Sequence, residues 1–222
     1  MKRILAIAAM VLMCCGVAVA QGKKVSILGD SYSTFRGHIP AGYAVWYPMN
    51  GNDVTAVEQT WWYQFINDNG LQLEQNNSYS GSTVCNTGYN GEDYSDRSFY
   101  SRINYLGNPD IILIFGCTND SWAHSPIGEY QYSDWSKKDM YAFRPAAAYM
   151  LSNIKMLYPE AEIYYLLNSE LDDAINESVN TVCAKYQIPV IALKNIDKQL
   201  GHPSQAGMKA ISEQVAKAVL KK

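Results

Sequence analysis

The chain has 222 residues, which is long enough for one folded domain. Of these residues, 48% are apolar and 18% are charged, and this composition is too apolar for a disordered chain. Its formal net charge is -3, and its basic residues form no run longer than two, which excludes nucleic acid as an expected partner.

Residues 1–20 have the composition of a cleaved secretory signal. Lys2 and Arg3 precede an apolar run of 17 residues, 4–20, which ends in the small-x-small sequence Ala-Val-Ala. A helix that spans a bilayer needs about 20 residues, so a retained anchor is the less favoured alternative. We expect cleavage after Ala20, a secreted or periplasmic protein and no stable membrane insertion.

Short apolar runs alternate with amphipathic patterns along the rest of the chain. Strands are predicted at 25–29, 71–76, 111–116, 161–167 and 188–193. Helices are predicted at 60–69, 97–106, 138–158, 172–186 and 204–220, with long loops over most of 32–60 and 80–108. The alternation predicts an α/β fold with a single domain over 21–222. We expect a three-layer α/β/α sandwich around a central, mostly parallel five-stranded sheet.

Polar segments come directly after several of the predicted strands. They are GDSYS at 29–33, NSYSGS at 77–82, CTND at 117–120 and GHPS at 201–204. In a parallel sheet, such segments meet at the carboxyl ends of the strands. Together they supply a hydroxyl, a flexible backbone N–H, a side-chain amide and an imidazole, which are the groups that acyl transfer needs.

These four segments resemble, in order and rough spacing, the sequence blocks of the SGNH (GDSL-type) serine hydrolases. The resemblance covers the mature chain and implies a flavodoxin-like α/β/α fold and ester hydrolysis. It implies that Ser31 is the nucleophile and His202 the general base. The oxyanion hole would consist of the Ser31 N–H, the Gly81 N–H and the Asn119 side chain.

The sequence departs from the pattern of this family at two positions. The last block of the family reads Asp-x-x-His, but position 199 is Gln, and the nearest acid is Asp197, five residues before His202. We predict Asp197 as the third catalytic residue, because a carboxylate stabilises the imidazolium. The alternative is a Ser-His dyad in which a backbone carbonyl or Gln199 orients the ring. Cys117 is the second departure, since it stands where the third block usually has glycine.

Aromatic residues in the loops suggest the kind of substrate. Trp46 and Trp122 are predicted to contact it, because flat aromatic rings stack on sugars, and His124 is added because it lies close in sequence to the third polar segment. We expect an esterase acting on a small-molecule or polysaccharide ester, with acetyl on a carbohydrate favoured. The alternatives are a lipase, thioesterase or lysophospholipase of the same fold, or a non-catalytic sugar-binding relic. The mechanism requires no metal and no cofactor.

Overall fold

The structure, a computed structural model, describes residues 22–220. The predicted signal segment 1–20 lies outside them. Five parallel strands form the central sheet in the order β2-β1-β3-β4-β5. They are β1 (Lys24–Gly29), β2 (Gln72–Ser78), β3 (Ile111–Gly116), β4 (Glu162–Leu167) and β5 (Val190–Ala192).

The described part of the chain also contains five α-helices, one short hairpin and several 3-10 turns. The helices are α1 (Trp61–Asp68), α2 (Thr118–Trp122), α3 (Phe143–Leu157), α4 (Asp173–Tyr186) and α5 (Gln205–Val219), and the hairpin pairs β6 (Lys198–Gln199) with β7 (His202–Pro203). Among residues 22–220, no helix has the length and apolar character needed to cross a bilayer. In the same residues, no three His, Cys, Asp or Glu side chains lie close enough to hold a metal ion.

Alternate side chains of the central strands fill the two faces of the sheet. In β4, Ile163 and Tyr165 join the core under α3 and α4, whereas Tyr164 and Leu166 join the core under α1 and α5. β3 is buried along its whole length, as its apolar sequence predicts. This arrangement confirms the predicted three-layer α/β/α sandwich.

Two predicted helices differ from the structure. The pattern at 97–106 forms only a 3-10 turn over Tyr100–Arg102. The predicted helix 138–158 begins at Phe143, after an extended residue at Ala142. The later start places Pro145 in the first turn, where its missing N–H has no intrahelical partner to lose.

A buried arginine ties together the ends of β1 and β2. Arg102 is 2% exposed, and its guanidinium donates to the carbonyls of Asn77 (2.6 Å), Gly29 (3.1 Å) and Arg97 (2.9 Å) and to the Ser82 hydroxyl (3.0 Å). Burial lowers its pKa to about 10. The two polar loops after these strands are therefore held at a fixed separation.

Candidate functional site

Ser31 lies on a 3-10 turn directly after β1. Asp30 caps this turn, because its Oδ1 accepts the Tyr32 N–H at 3.0 Å. Gly29 brings β1 close against its neighbour: a Cβ at this residue would lie 2.4 Å from Ser78 Oγ. The turn thus presents the Ser31 hydroxyl at the carboxyl edge of the sheet.

His202 is presented by the β6–β7 hairpin. Gln199 pairs with His202, and the two residues between them, Leu200 and Gly201, have φ of 52° and 74°. Both values lie in the left-handed region, as the tightest hairpin turns require. This turn brings His202 Nε2 to 2.9 Å from Ser31 Oγ, and both residues are buried. The distance is that of a hydrogen bond between a hydroxyl and an imidazole.

A backbone carbonyl orients the other ring nitrogen of His202. Nδ1 lies 3.1 Å from the Leu200 oxygen. Because a carbonyl can only accept, this contact assigns the proton to Nδ1 and leaves a lone pair on Nε2, facing the Ser31 hydroxyl. The ring therefore has the tautomer that a general base needs.

Neither side chain considered as the orienting group reaches His202. The Asp197 carboxylate accepts a hydrogen bond from the Ser204 hydroxyl, and the Asp197 carbonyl accepts the Ser204 N–H at 3.0 Å. Ser204 is the N-cap of α5, so Asp197 supports that cap. Gln199 Oε1 accepts the Asp53 N–H at 2.8 Å. The expectation of Asp197 as the orienting acid is therefore corrected to a backbone carbonyl.

The side-chain amide of Asn119 is held on both sides. Its Nδ2 donates to the Ser82 carbonyl at 2.9 Å, and its Oδ1 accepts from the Tyr89 hydroxyl at 2.8 Å. An amide nitrogen carries two N–H groups, so one remains for a substrate oxygen. Sequence reasoning missed Tyr89, which lies in a loop without periodicity, and no local pattern marks it.

Asp120 fastens the loop that carries Gly81. Its Oδ2 accepts the Val84 N–H at 2.8 Å and its Oδ1 the Cys85 N–H at 3.2 Å. Gly81 has φ of 81°, and a Cβ there would meet no heavy atom within 4 Å, so the backbone angle rather than space requires glycine. Among residues 22–220, no carbonyl accepts the Gly81 N–H. This N–H is thus available to a ligand.

Cys117 lies in the left-handed region of backbone conformation, which favours glycine. Its φ is 72° and its ψ is -4°, immediately before α2. The side chain is fully buried in the core under α3 and α4, and burial raises the pKa of the thiol. Cys117 is therefore a buried thiol and not a second nucleophile.

Burial controls protonation at the site. It lowers the pKa of His202 to about 4, and the positive charge of Lys198 adds to the effect, whereas the Leu200 carbonyl opposes it. Burial also raises the pKa of Asp30 to about 7, and the Asp120 carboxylate contributes to that shift. His202 is consequently neutral near pH 7, the state in which Nε2 accepts a proton.

Two of the three residues expected to contact substrate lie against His202. The Trp46 ring stacks on the imidazole with a centroid distance of 3.8 Å and an interplanar angle of 7°. Trp122 approaches at 5.9 Å and 67°, and 40% of it is exposed. The His124 side chain is instead 83% exposed, with Nδ1 3.6 Å from Asp172 Oδ2. None of the contacts of His124 within residues 22–220 involves Ser31 or His202.

The chain matches one protein-family model along almost its whole length. Residues 23–219 match the model described as GDSL-like lipase/acylhydrolase. The chain belongs to this family. The resemblance drawn from the four polar segments is therefore confirmed, and the protein is a serine hydrolase of the esterase type.

Solved structures of GDSL-like lipases share both the fold and much of the sequence. One from Bacteroides uniformis is 58% identical, with a TM-score of 0.89, over 90% of this chain and 97% of its own. One from Bacteroides ovatus is 54% identical, with a TM-score of 0.89, over 90% and 99%. A family two carbohydrate esterase from Clostridium thermocellum, in complex with cellohexaose, shares the fold at 15% identity, with a TM-score of 0.60, over 90% and 65%. No curated protein matches the chain.

Removal of the Tyr89 hydroxyl tests its hold on Asn119. Since a rigid oxyanion donor is worth about a hundred-fold or more in kcat, we expect Tyr89→Phe to lower kcat about ten-fold with little change in KM. The measurement is steady-state hydrolysis of 4-nitrophenyl acetate. Tyr105→Phe is the matched control, because Tyr105 is 63% exposed. Equal kinetics for the two variants would contradict the role of Tyr89.

The role of Asp197 is tested by Asp197→Asn. Because its carboxylate contacts Ser204 rather than His202, we expect kcat to stay within about three-fold of the parent value. We expect the free energy of unfolding to fall by about 1 kcal/mol, from the weaker support of the α5 cap. Urea unfolding and steady-state kinetics measure the two effects. A kcat loss of about a thousand-fold or more would restore Asp197 as a catalytic acid.

The burial of His202 predicts an acid-tolerant activity. Its pKa is held at about 4, so the ring stays neutral as the pH falls and becomes protonated only near that value. We expect kcat/KM to be flat between about pH 6 and pH 8 and to halve near the lowered pKa, against about 6.5 for a solvated histidine. Circular dichroism at each pH controls for unfolding. A midpoint near 6.5 would contradict the buried ring.

Proposed function

We propose that this protein is an exported esterase that removes a small acyl group, preferably acetyl, from a carbohydrate through an acyl-Ser31 intermediate. The observation that carries the proposal is the 2.9 Å contact between Ser31 Oγ and His202 Nε2. The amide of Asn119 is held at the carboxyl edge of the same sheet.

The proposed reaction assigns a group of the site to each step. As Ser31 Oγ bonds to the ester carbonyl carbon, its proton passes to His202 Nε2. The carbonyl oxygen, now negative, accepts from the N–H groups of Ser31, Gly81 and Asn119. His202 returns the proton to the leaving alcohol as the C–O bond breaks. Water then loses a proton to His202, attacks the acyl carbon and releases the acid, and Ser31 regains its proton.

The burial of the site supports a small acyl group. Ser31, Asn119 and His202 are each 7% exposed or less. A long acyl chain needs an apolar channel next to the nucleophile. The low exposure of the nucleophile, the base and the amide favours an acyl group of a few atoms.

A carbohydrate as the alcohol part is supported by the exposed ring of Trp122 beside His202, since aromatic faces pack well on sugar rings. Trp46 has one face covered by His202, so Trp122 is the better platform. The carbohydrate esterase that binds cellohexaose shares the fold and supports the same choice. The Bacteroides relatives are described as lipases, which keeps longer acyl chains as the second candidate.

Covalent labelling and a chain-length series test the nucleophile and the acyl group. A fluorophosphonate probe is expected to label the parent protein and Ser33→Ala but not Ser31→Ala. Ser33 is the matched serine of the same turn, and its Oγ accepts from Trp61 Nε1 at 3.2 Å. Among 4-nitrophenyl esters we expect kcat/KM to be highest for acetate and at least about ten-fold lower for octanoate. The reason is that an octanoyl chain without an apolar channel to bind it stays exposed to water.

Different results would overturn different parts of the proposal. Labelling of Ser31→Ala at the parent rate would remove Ser31 as the nucleophile. A kcat/KM that rises with chain length would identify a lipase. Release of acetate from acetylated xylan, compared with the same polymer after chemical deacetylation, tests the carbohydrate part, and no release would contradict it.

Export is proposed from the signal-like composition of residues 1–20. We expect the protein expressed from the full-length gene to accumulate outside the inner membrane with Gln21 as its first residue. Amino-terminal sequencing of the mature protein measures this. An intact amino terminus on protein retained in the membrane would show an anchor instead.

A further inference from the structure

His202 must become an imidazolium during the reaction, but no carboxylate among residues 22–220 stands beside it. Its Nδ1 faces the Leu200 carbonyl, and the Asp197 carboxylate is engaged with Ser204. Among the described residues, the charged group that acts on the ring is Lys198, whose positive charge opposes protonation. A buried cation without an opposite charge is costly, so another group must offset this cost.

Trp46 covers one face of the imidazole. The two rings are 7° from parallel with centroids 3.8 Å apart, which places the His202 ring directly over the indole. The neighbouring aromatic rings of Tyr32 and Trp122 are tilted, at 5.2 Å and 5.9 Å. Trp46 is thus the ring whose π-face lies closest to the developing charge.

The stacked geometry favours the charged form of His202 over the neutral form. Two neutral aromatic rings prefer offset or edge-to-face contacts to a close parallel sandwich, because their negative faces repel. A cation over the same face is attracted, most strongly by tryptophan, and more so when both groups are desolvated. An interaction that strengthens only as the proton arrives lowers the barrier instead of tightening the ground state.

Hydrogen bonds tie the backbone segment that carries Trp46 to both halves of the catalytic pair. The Trp46 backbone N–H donates to Thr34 Oγ1 at 2.9 Å, and the Thr34 hydroxyl donates to the Ser31 carbonyl at 3.0 Å. The next residue, Tyr47, donates from its hydroxyl to the Pro203 carbonyl at 2.8 Å, directly after His202. The segment that carries the indole is therefore held beside the imidazole by contacts within the protein.

We propose that Trp46 is a positioning residue that takes the place of the missing acid: its indole face stabilises the imidazolium formed when His202 takes the Ser31 proton. The inference rests on the proposed Ser31–His202 mechanism. It assigns Trp46 to the chemistry of the base instead of to sugar binding.

Fluorinated tryptophan tests the electrostatic part without changing the shape of the ring. The full-length protein is produced with tryptophan, monofluorotryptophan, difluorotryptophan or trifluorotryptophan, each of which makes the ring face less negative. We expect kcat for 4-nitrophenyl acetate to fall with each added fluorine, and the trifluorotryptophan protein to have a kcat about ten-fold below that of the parent. We expect KM to stay within about two-fold of the parent value. A role in packing alone predicts no such series.

The same fluorination in a Trp46→Phe background is the control for the other four tryptophans, since the chain contains five. There we expect no dependence of kcat on fluorine content. Trp135→Phe, which removes a ring that packs on Tyr149 of α3, is expected to keep the full dependence. Equal slopes in the parent and in Trp46→Phe, or a flat series in the parent, would overturn the inference.

The outcome is separable from the failure of the proposed function. Loss of labelling in Ser31→Ala together with a flat fluorine series would keep Ser31 as the nucleophile and reject Trp46. Activity that survives in Ser31→Ala would reject the mechanism on which both depend.

Discussion

The hydrogen bond between Ser31 and His202 is the contact on which the site depends. It joins residues 171 positions apart, at the end of the first strand and in the hairpin before the last helix. Its length is set by two turns: the capped turn after β1 and the tight hairpin whose central residues, Leu200 and Gly201, both have positive φ. The hairpin also directs the Leu200 carbonyl at Nδ1, so one local conformation places the imidazole and selects its tautomer.

Buried polar contacts also hold the oxyanion groups in place. Asp120 accepts two backbone N–H groups from the loop after Gly81, and Asn119 donates to the same loop. Arg102 joins that loop to the end of β1. Buried donors and acceptors are expensive when unpaired, so these contacts give the loops one favoured arrangement. A preorganised site of this kind needs little rearrangement when charge develops on the substrate.

The replacement of a side-chain acid by a backbone carbonyl has an energetic consequence. A carbonyl orients the imidazole but carries only a partial charge, and burial already disfavours the imidazolium. We infer that the Trp46 ring, which is stacked flat on His202, supplies the remaining stabilisation of the imidazolium. His202 is 7% exposed, and low exposure to solvent strengthens the electrostatic contacts of a group.

The amino-acid sequence was sufficient for the layered fold, for membership of the family and for the choice of Ser31, Gly81, Asn119 and His202 as candidate site residues. Apolar runs such as 111–116 predict a buried strand directly. Parallel strands bring the polar segments at their carboxyl ends to the same edge of the sheet. The helix predicted at 97–106 failed because backbone groups of this segment bond elsewhere: the Phe99 N–H donates to the Thr83 carbonyl, and the Arg97 carbonyl accepts from the Arg102 side chain.

Only the tertiary structure identified the partners of the site residues. Asp197 and Gln199 both have the chemistry to orient His202. The Asp197 carboxylate instead accepts from Ser204, Gln199 Oε1 accepts the Asp53 N–H, and the Leu200 carbonyl faces Nδ1. Tyr89 and Trp46 acquire their roles in the same way. The identity of a side chain determines its chemistry. Its partner depends on how turns and loops of irregular conformation pack, and no local periodicity in the sequence encodes that packing.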